Sequence, residues 1–303
     1  MKIIISPAKT LDFNEIELKD RSKPVFLDMA EEIIAVLKKL TVEDIEKKLK
    51  VNKNLAVLNY ERYKKWKKED ENNSKQAVFT YNGHLFKNIE LNSFKNDDID
   101  YLQEHLVIIS ALYGVLKPLD LIQPYRLDFL AKIKINDKSL YNFWQDTITE
   151  YFNKLNDDIV INLASGEYSK VLDRKKLNKR LVDIVFKEFK NGKYKTMSMS
   201  AKKMRGRFLN FMAKNKVTDL ELLKDFNYDD YKFSEKESSE DCFIFLKRKP
   251  WYYVFYWGKN WYDSETIYES VNYSKNKKSW FIKNMGYNVV DMQCIAYLQH
   301  YGD

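Results

Sequence analysis

The stretch KIIISPAKTLDF, Lys2 to Phe13, changes character after Ser6. Its consecutive isoleucines read as a short buried strand. The strand opens onto a loop that carries Ser6, Lys9 and Thr10. A similar change recurs along the chain. LVIIS (106–110) reads as a strand and leads into SALYGVLKPLDLIQPYRLDF, where a glycine (Gly114) and two prolines fix the path and then present Tyr125 and Arg126. DIVIN (158–162) is a buried strand followed by the turn LASGEYSK, with Asn162 at the strand end and Ser165, Gly166, Glu167 and Tyr168 beyond it.

Helical patterns lie between these strands. PVFLDMAEEIIAVLKKL (24–40) has apolar residues at helical spacing, with Pro24 suited to a first turn. TVEDIEKKL (41–49) pairs Thr41 with Asp44 as a capping box. Asn52 caps a third helix, 52–70, and helices are also expected over 97–106, 139–155 (capped by Ser139) and 205–215. QAVFTY (76–81) reads as a strand ending at an Asn82-Gly83 turn. LVDIVFKEF, Asn191-Gly192 and KYKTMSMS together read as a hairpin, and DCFIFLKR (241–248) as a closing strand. The interleaving has no strict βαβ rhythm. The expected fold class is therefore α/β (mixed α+β), a mixed sheet surrounded by helices.

The 303 residues, 45% of them hydrophobic, are enough for a folded globular chain. No apolar run approaches the ~20 residues that cross a bilayer. The N-terminus has one lysine and three consecutive apolar residues, too few for a signal-peptide core, so a cytoplasmic location is expected. Two cysteines outside any CxxC and three scattered histidines give no metal-site spacing, and neither a metal nor a cofactor is expected. Two segments are expected: 1–248 as the main domain, with no Pro/Gly/Ser linker, and 249–303 as an aromatic-rich extension. The latter holds PWYYVFYWGKNWY, with eight aromatics from Trp251 to Tyr262. Such a run packs on the body of the protein or on a partner, bases included.

The net charge is +8, but it is distributed unevenly. Lys170 to Lys216 holds 16 Lys/Arg against three acids, and Asp219 to Asp241 holds nine acids against three lysines. Within the basic band, SAKKMRGRFLNFM (200–212) crowds Lys202, Lys203, Arg205 and Arg207 around Gly206. Like charges so close call for an anion: screening buffer ions at a solvated face, a neighbouring carboxylate such as those of the following acidic segment, or the phosphate of a ligand. A phosphate fits this pattern, with Arg205 as a bidentate donor and Gly206 permitting close approach. Ser165-Gly166 precedes a possible helix start whose N–H groups suit a phosphate, although the Walker spacing is absent.

Taken together, SPAKTLDF, LYGVLKPLDLIQPYRLDF, VINLASGEYSK and AKKMRGRF, in this order, strongly resemble the YaaA peroxide-stress protein family from Met1 to about Arg248. The stretch from Lys249 onward does not. The resemblance implies a bacterial cytoplasmic protein that protects against hydrogen peroxide damage linked to free iron. It also implies a positively charged cleft and a helix-hairpin-helix element that binds duplex or branched DNA without strong sequence preference.

That element falls on Val51 to Trp66 and implicates Asn52, Asn54, Leu55, Asn59, Arg62, Lys64 and Lys65. Val57 stands where the hairpin calls for glycine. Asn210 stands where an arginine commonly follows in the fourth motif. The expected cleft comprises Ser6, Lys9, Thr10, Tyr113, Gly114, Tyr125, Arg126, Asn162, Ser165, Gly166, Glu167, Tyr168, Lys202, Lys203, Arg205 and Gly206. A non-enzymatic role is preferred. The alternative is an enzyme acting on a nucleotide or phosphorylated small molecule, with Glu167 as acid/base, Lys9 or Lys202 as electrostatic stabiliser, and Tyr113 or Tyr125 as a positioning group. Direct iron sequestration finds no ligand cluster in the sequence.

Overall fold

The computed structural model describes residues 1–14 and 20–247, together with the backbone of 256–257 and 260–261. The chain divides into two units, Met1–Arg248 and Lys249–Asp303. In the second, Tyr256–Trp257 pairs antiparallel with Asn260–Trp261, and the rest of the aromatic extension lies outside the described residues.

In the first unit the main elements, in chain order, are β1 (Lys2–Ile5), α1 (Leu27–Leu37), α2 (Val42–Leu49), α3 (Lys53–Lys65), α4 (Asn96–His105), β2 (Leu106–Ser110) and β3 (Gly114–Leu116). They continue with α5 (Leu140–Asn153), β4 (Ile159–Asn162), β5 (Arg180–Lys190), β6 (Lys193–Lys195), α6 (Ser198–Lys214), β7 (Tyr231–Phe233) and β8 (Cys242–Lys247). The eight strands form one mixed sheet, in the order β7-β8-β5-β4-β1-β2-β3, with β6 hairpinned onto β5. Its centre, β8-β5-β4-β1-β2, is parallel, and β7 and β3 add antiparallel edges.

The sequence explains this centre. Ile3, Ile4 and Ile5 are completely buried, and so is Ile161 on the neighbouring strand. A parallel strand is covered on both faces, so its apolar run is continuous rather than alternating. The helices cover these faces through single apolar stripes. Ala30, Ile33, Ile34 and Leu37 are the buried residues of α1, while Leu140, Trp144, Ile148 and Phe152 are buried along α5. Phe208 of α6 lies against Phe186 of β5 and Phe245 of β8, with ring centroids 5.8 and 5.3 Å apart. The end of α6 is clasped to α4, where buried Asp98 receives both Lys214 and Lys216.

The expected caps form: the Thr41–Asp44 box on α2, Asn52 accepting from Leu55 N at 3.0 Å, and Ser139 accepting from Asn142 N at 3.3 Å. Two expectations fail. QAVFTY is not a strand: only Lys75–Gln76 pairs, with Leu121–Ile122, and Ala77–Thr80 turns helically. The 118–120 loop draws it aside by accepting Ala77 N and Val78 N, and Thr80 Oγ1 bonds back to Gln76 O at 2.8 Å. Asn82-Gly83 then leads into a helical turn, His84–Lys87, instead of a hairpin. The second correction concerns KYKTMSMS. The strand stops at Lys195 and α6 begins at Ser198, ahead of the expected start at Arg205.

Candidate functional site

Among the five parallel strands, β2 follows β1 in sequence on one side, and β4 follows on the other. The connections therefore diverge between β1 and β4, a topological switch point that leaves a crevice outside the carboxyl ends of those strands. Two of the four motifs begin there. Ser165 donates its backbone N–H to Ser6 Oγ at 2.8 Å, and the two hydroxyls are 3.2 Å apart. Asn162 fixes the turn: its Oδ1 accepts from Ala164 N at 2.9 Å and its amide donates to Asp183 at 2.7 Å. A Cβ built on Gly166 would meet nothing within 4 Å, so the space above this turn is open. Thr10 donates to Asn82 O and holds the first loop against the 82–83 turn.

The second motif reaches the same place over a buried phenol framework. Tyr125 OH lies 2.8 Å from Ser110 Oγ and 2.6 Å from Tyr81 OH. Tyr113 OH accepts from Trp66 Nε1 and Gln123 N, both at 3.1 Å. Tyr113 and Tyr125 are fully inside, and burial pushes the Tyr125 phenol up to about 12. They hold the loop's path and do not face a ligand. Gly114 has a packing reason too: at φ +71° it lies under Trp144, whose ring would be 2.5 Å from a Cβ.

This framework presents Arg126 and Asp128. Lys9 Nζ lies 3.6 Å from Asp128 Oδ2, joining the first and second motifs. The third joins them through Tyr141, which donates to Glu167 O at 2.8 Å and stacks on Phe129 at 5.0 Å. Tyr168 is buried edge-on to Phe129. Glu167 has its pKa raised, first by burial and then by the Asp128 carboxylate; Lys9, the Phe129 amide and Lys202 pull the other way. Its Oε1 is buried without a hydrogen-bond partner. Asp128 is the residue that sequence reasoning missed. Its signal lay within YRLDF, two positions after Arg126.

From α6 the fourth motif brings Lys202 near enough for its charge to act on Glu167. Its other cations are used differently. Lys203 pairs with Asp229, and Arg207 pairs with Glu90 and lies over the Tyr228 ring at 4.7 Å. Arg205 has no carboxylate partner among the described residues; its Nε is buried unbonded, and burial alone lowers its pKa. Gly206 is needed for packing, since its Cβ would stand 2.2 Å from Leu85 O. Asn210 donates to Ile89 O at 2.5 Å.

The second and third helices pack on each other through a left-handed turn at Lys50. Of the expected hairpin residues, Asn54, Lys64 and Lys65 are exposed, while Asn52 is occupied as a cap and Leu55 is half-buried. Asn59 is fully buried, with its amide on Leu55 O at 2.7 Å, so it offers no donor to solvent. Val57 is 43% exposed at the surface of α3. Arg62 lies close enough to Arg126 to feel its charge, and Tyr63 OH donates to Arg126 O. Arg62 and Lys65 also line an open cleft of about 860 Å³ between α3 and the 72–76 and 121–124 segments.

No group of three or more His, Cys, Asp or Glu placed to hold a metal occurs among the described residues, and none of their helices is long and apolar enough to cross a membrane.

A family model described as peroxide stress protein YaaA matches residues 1–237. A UPF0246 protein of Francisella philomiragia is 41% identical over 254 residues, which is 82% of this chain and all of the relative. UPF0246 proteins of Rickettsia rickettsii and Rickettsia bellii are 42% and 43% identical over 252 and 253 residues, again covering 82% of this chain and the whole of each relative. With the four motifs, a family model over most of the chain and relatives matched end to end, the chain belongs to the YaaA peroxide stress protein family.

Proposed function

We propose that this protein works in the cytoplasm during peroxide stress by binding DNA through its phosphates, protecting it from hydrogen peroxide damage linked to free iron. One observation carries the reading. The basic residues divide into two groups: Lys203, Arg207, Lys214 and Lys216 have internal carboxylates, whereas Arg205, Arg62 and Arg126 have none among the described residues. An unpaired, partly desolvated guanidinium is retained at a cost in stability, and phosphate is the anion its planar fork fits best. Asn54, Lys64 and Lys65 on the exposed side of α3 extend the cationic surface.

The test is binding of duplex and junction DNA across a salt series. Contacts to several phosphates make log K fall linearly with log salt, by about 0.9 per phosphate neutralised, with little dependence on base sequence. A flat salt response, or no binding at low salt, removes the proposal.

Glu167 favours a second reading, an enzyme acting on a nucleotide or another phosphorylated small molecule. An unsatisfied carboxyl oxygen with a raised pKa beside Lys9 and Lys202 suits acid–base chemistry next to an anion. If Glu167→Gln and Lys9→Ala both retain protection in cells, catalysis by these groups is excluded.

A further inference from the structure

The first motif ends in a residue that the switch-point crevice does not use. Phe13 is half-buried, yet among the described residues its ring meets no other ring and stays outside the hydrophobic core. Its backbone is fixed from both sides. Lys75 Nζ donates to Asp12 O at 3.1 Å and to Asn14 O at 2.7 Å, and Asp12 N donates to Thr80 O at 2.7 Å. The result is a half-open aromatic ring on a held backbone.

Phe13 lines the open cleft of about 860 Å³ beside α3. That volume falls in the range of small-ligand sites, roughly 300–1,000 Å³. It suits a nucleotide better than a duplex, whose bases are paired and stacked inside. The walls supply what a nucleotide needs. Arg62 and Lys65 bring charge from α3, and neither has a carboxylate partner among the described residues; Glu61 is the one acid among the described residues that line the cleft. Asn72 and Asn73 bring side-chain amides that make no hydrogen bond among the described residues, and such amides can pair with the edge of an unpaired base. Phe13 offers the ring on which a base stacks, with Leu121 and Pro124 as further apolar surface. Lys65 and Asn72 are exposed, and Phe13, Arg62 and Asn73 are half-buried, so a ligand in the cleft reaches each of them. Arg62 also feels the charge of Arg126, so the cleft continues the cationic surface already described.

We propose that this cleft is a nucleotide site, filled by an unpaired nucleotide of a DNA strand. The base stacks on Phe13, its edge meets Asn72 and Asn73, and its phosphate lies against Arg62 and Lys65. No covalent bond is made or broken. The strand as the source of the nucleotide rests on the DNA-binding reading. The chemistry of the cleft does not, because a free nucleotide presents the same groups.

The experiment titrates the full chain with a fluorescent hairpin duplex that is blunt, or carries a single-stranded thymidine tail, or carries an abasic tail of the same length and charge. The competitor is dTMP. The thymidine tail is expected to bind about tenfold tighter than the abasic tail, the scale of one stacked base. Both tails carry the same phosphates, so this ratio reads the base alone. It falls to about one in Phe13→Leu, which keeps apolar bulk without a π face, and survives in Phe13→Tyr, whatever the change in overall affinity. Lys65→Ala weakens both tailed forms alike. Equal affinity for the two tails with no competition by dTMP overturns the proposal, and binding of the blunt duplex then leaves the DNA reading standing. A preference that persists in Phe13→Leu puts the base elsewhere and overturns it too. Saturable binding of dTMP that Phe13→Leu abolishes, without binding of any strand, sinks the DNA reading and assigns the cleft to a free nucleotide. The comparison of tails uses the unaltered protein, so it holds even if a variant fails to fold.

Discussion

The backbone N–H of Ser165 donates to the Ser6 hydroxyl at 2.8 Å across 159 residues of sequence, joining the carboxyl ends of β1 and β4 where the strand order reverses. The two strands are adjacent and parallel, with Ile4 opposite Asn162, so their following loops leave the sheet side by side. This hydrogen bond ties the two loops together across the crevice floor.

Ser6→Ala removes the acceptor and leaves the Ser165 N–H to water. The expected loss is about 1 kcal/mol, the usual net value of one hydrogen bond at a partly solvated site. Urea unfolding should show a lower midpoint with an unchanged slope. An unchanged midpoint would mean that the loops are held by packing alone.

Glu167 should make stability depend on pH in the direction opposite to a salt-bridged carboxylate. Its folded pKa lies above the ordinary 4.5, because burial and Asp128 outweigh Lys9, the Phe129 amide and Lys202; the Tyr141 and Tyr168 phenols also face it. The unfolded chain therefore releases this proton first, and the folded state loses stability as pH rises from 4.5 through the raised value. Above that window the loss is constant, and the group's partial exposure keeps it small. Glu167→Gln removes it, so the variant should gain on the wild type as pH rises from 4.5 through the raised value in matched unfolding series. A variant that loses ground over that interval would show Glu167 to be stabilised as an anion.

Gly206→Ala should destabilise by about 1–3 kcal/mol, the usual cost of overpacking. The added methyl would stand 2.2 Å from the Leu85 carbonyl, a backbone atom that cannot rotate away. Thermal unfolding measures this directly, and a variant as stable as the wild type would mean that α6 shifts freely on the 84–88 turn.

The same glycine marks where the sequence stops being readable. Strand runs such as Ile3 to Ile5 and caps such as Thr41 and Asn52 are local signals, and local signals survive in one dimension. The strand-end loops of the four motifs are also legible, because strand, small residues and polar residues follow in order. What Gly206, Gly114 or Lys203 does depends on a neighbour far along the chain: Leu85, Trp144 and Asp229. Asp128 is silent for the same reason, since nothing local says that Lys9 and Glu167 lie beside it. QAVFTY misleads because Ala77, Val78 and Thr80 are all buried, and a short apolar run has no period with which to choose between strand and helix.

Arg205 gives the sharpest separation of stability from function. Its guanidinium is largely desolvated, no described carboxylate answers it, and its Nε makes no hydrogen bond. In a protein selected only for stability, such a cation is a liability, and an apolar side chain of similar length is better tolerated. Arg205→Met should therefore unfold at a temperature equal to or above that of the wild type. Its DNA affinity should fall by about tenfold or more, and the salt slope should shrink by about one phosphate. Arg205→Lys keeps the charge without the planar fork and should recover only part of the affinity. If Arg205→Met instead melts early and binds DNA normally, the guanidinium is serving the fold, and the cationic surface must be drawn without it.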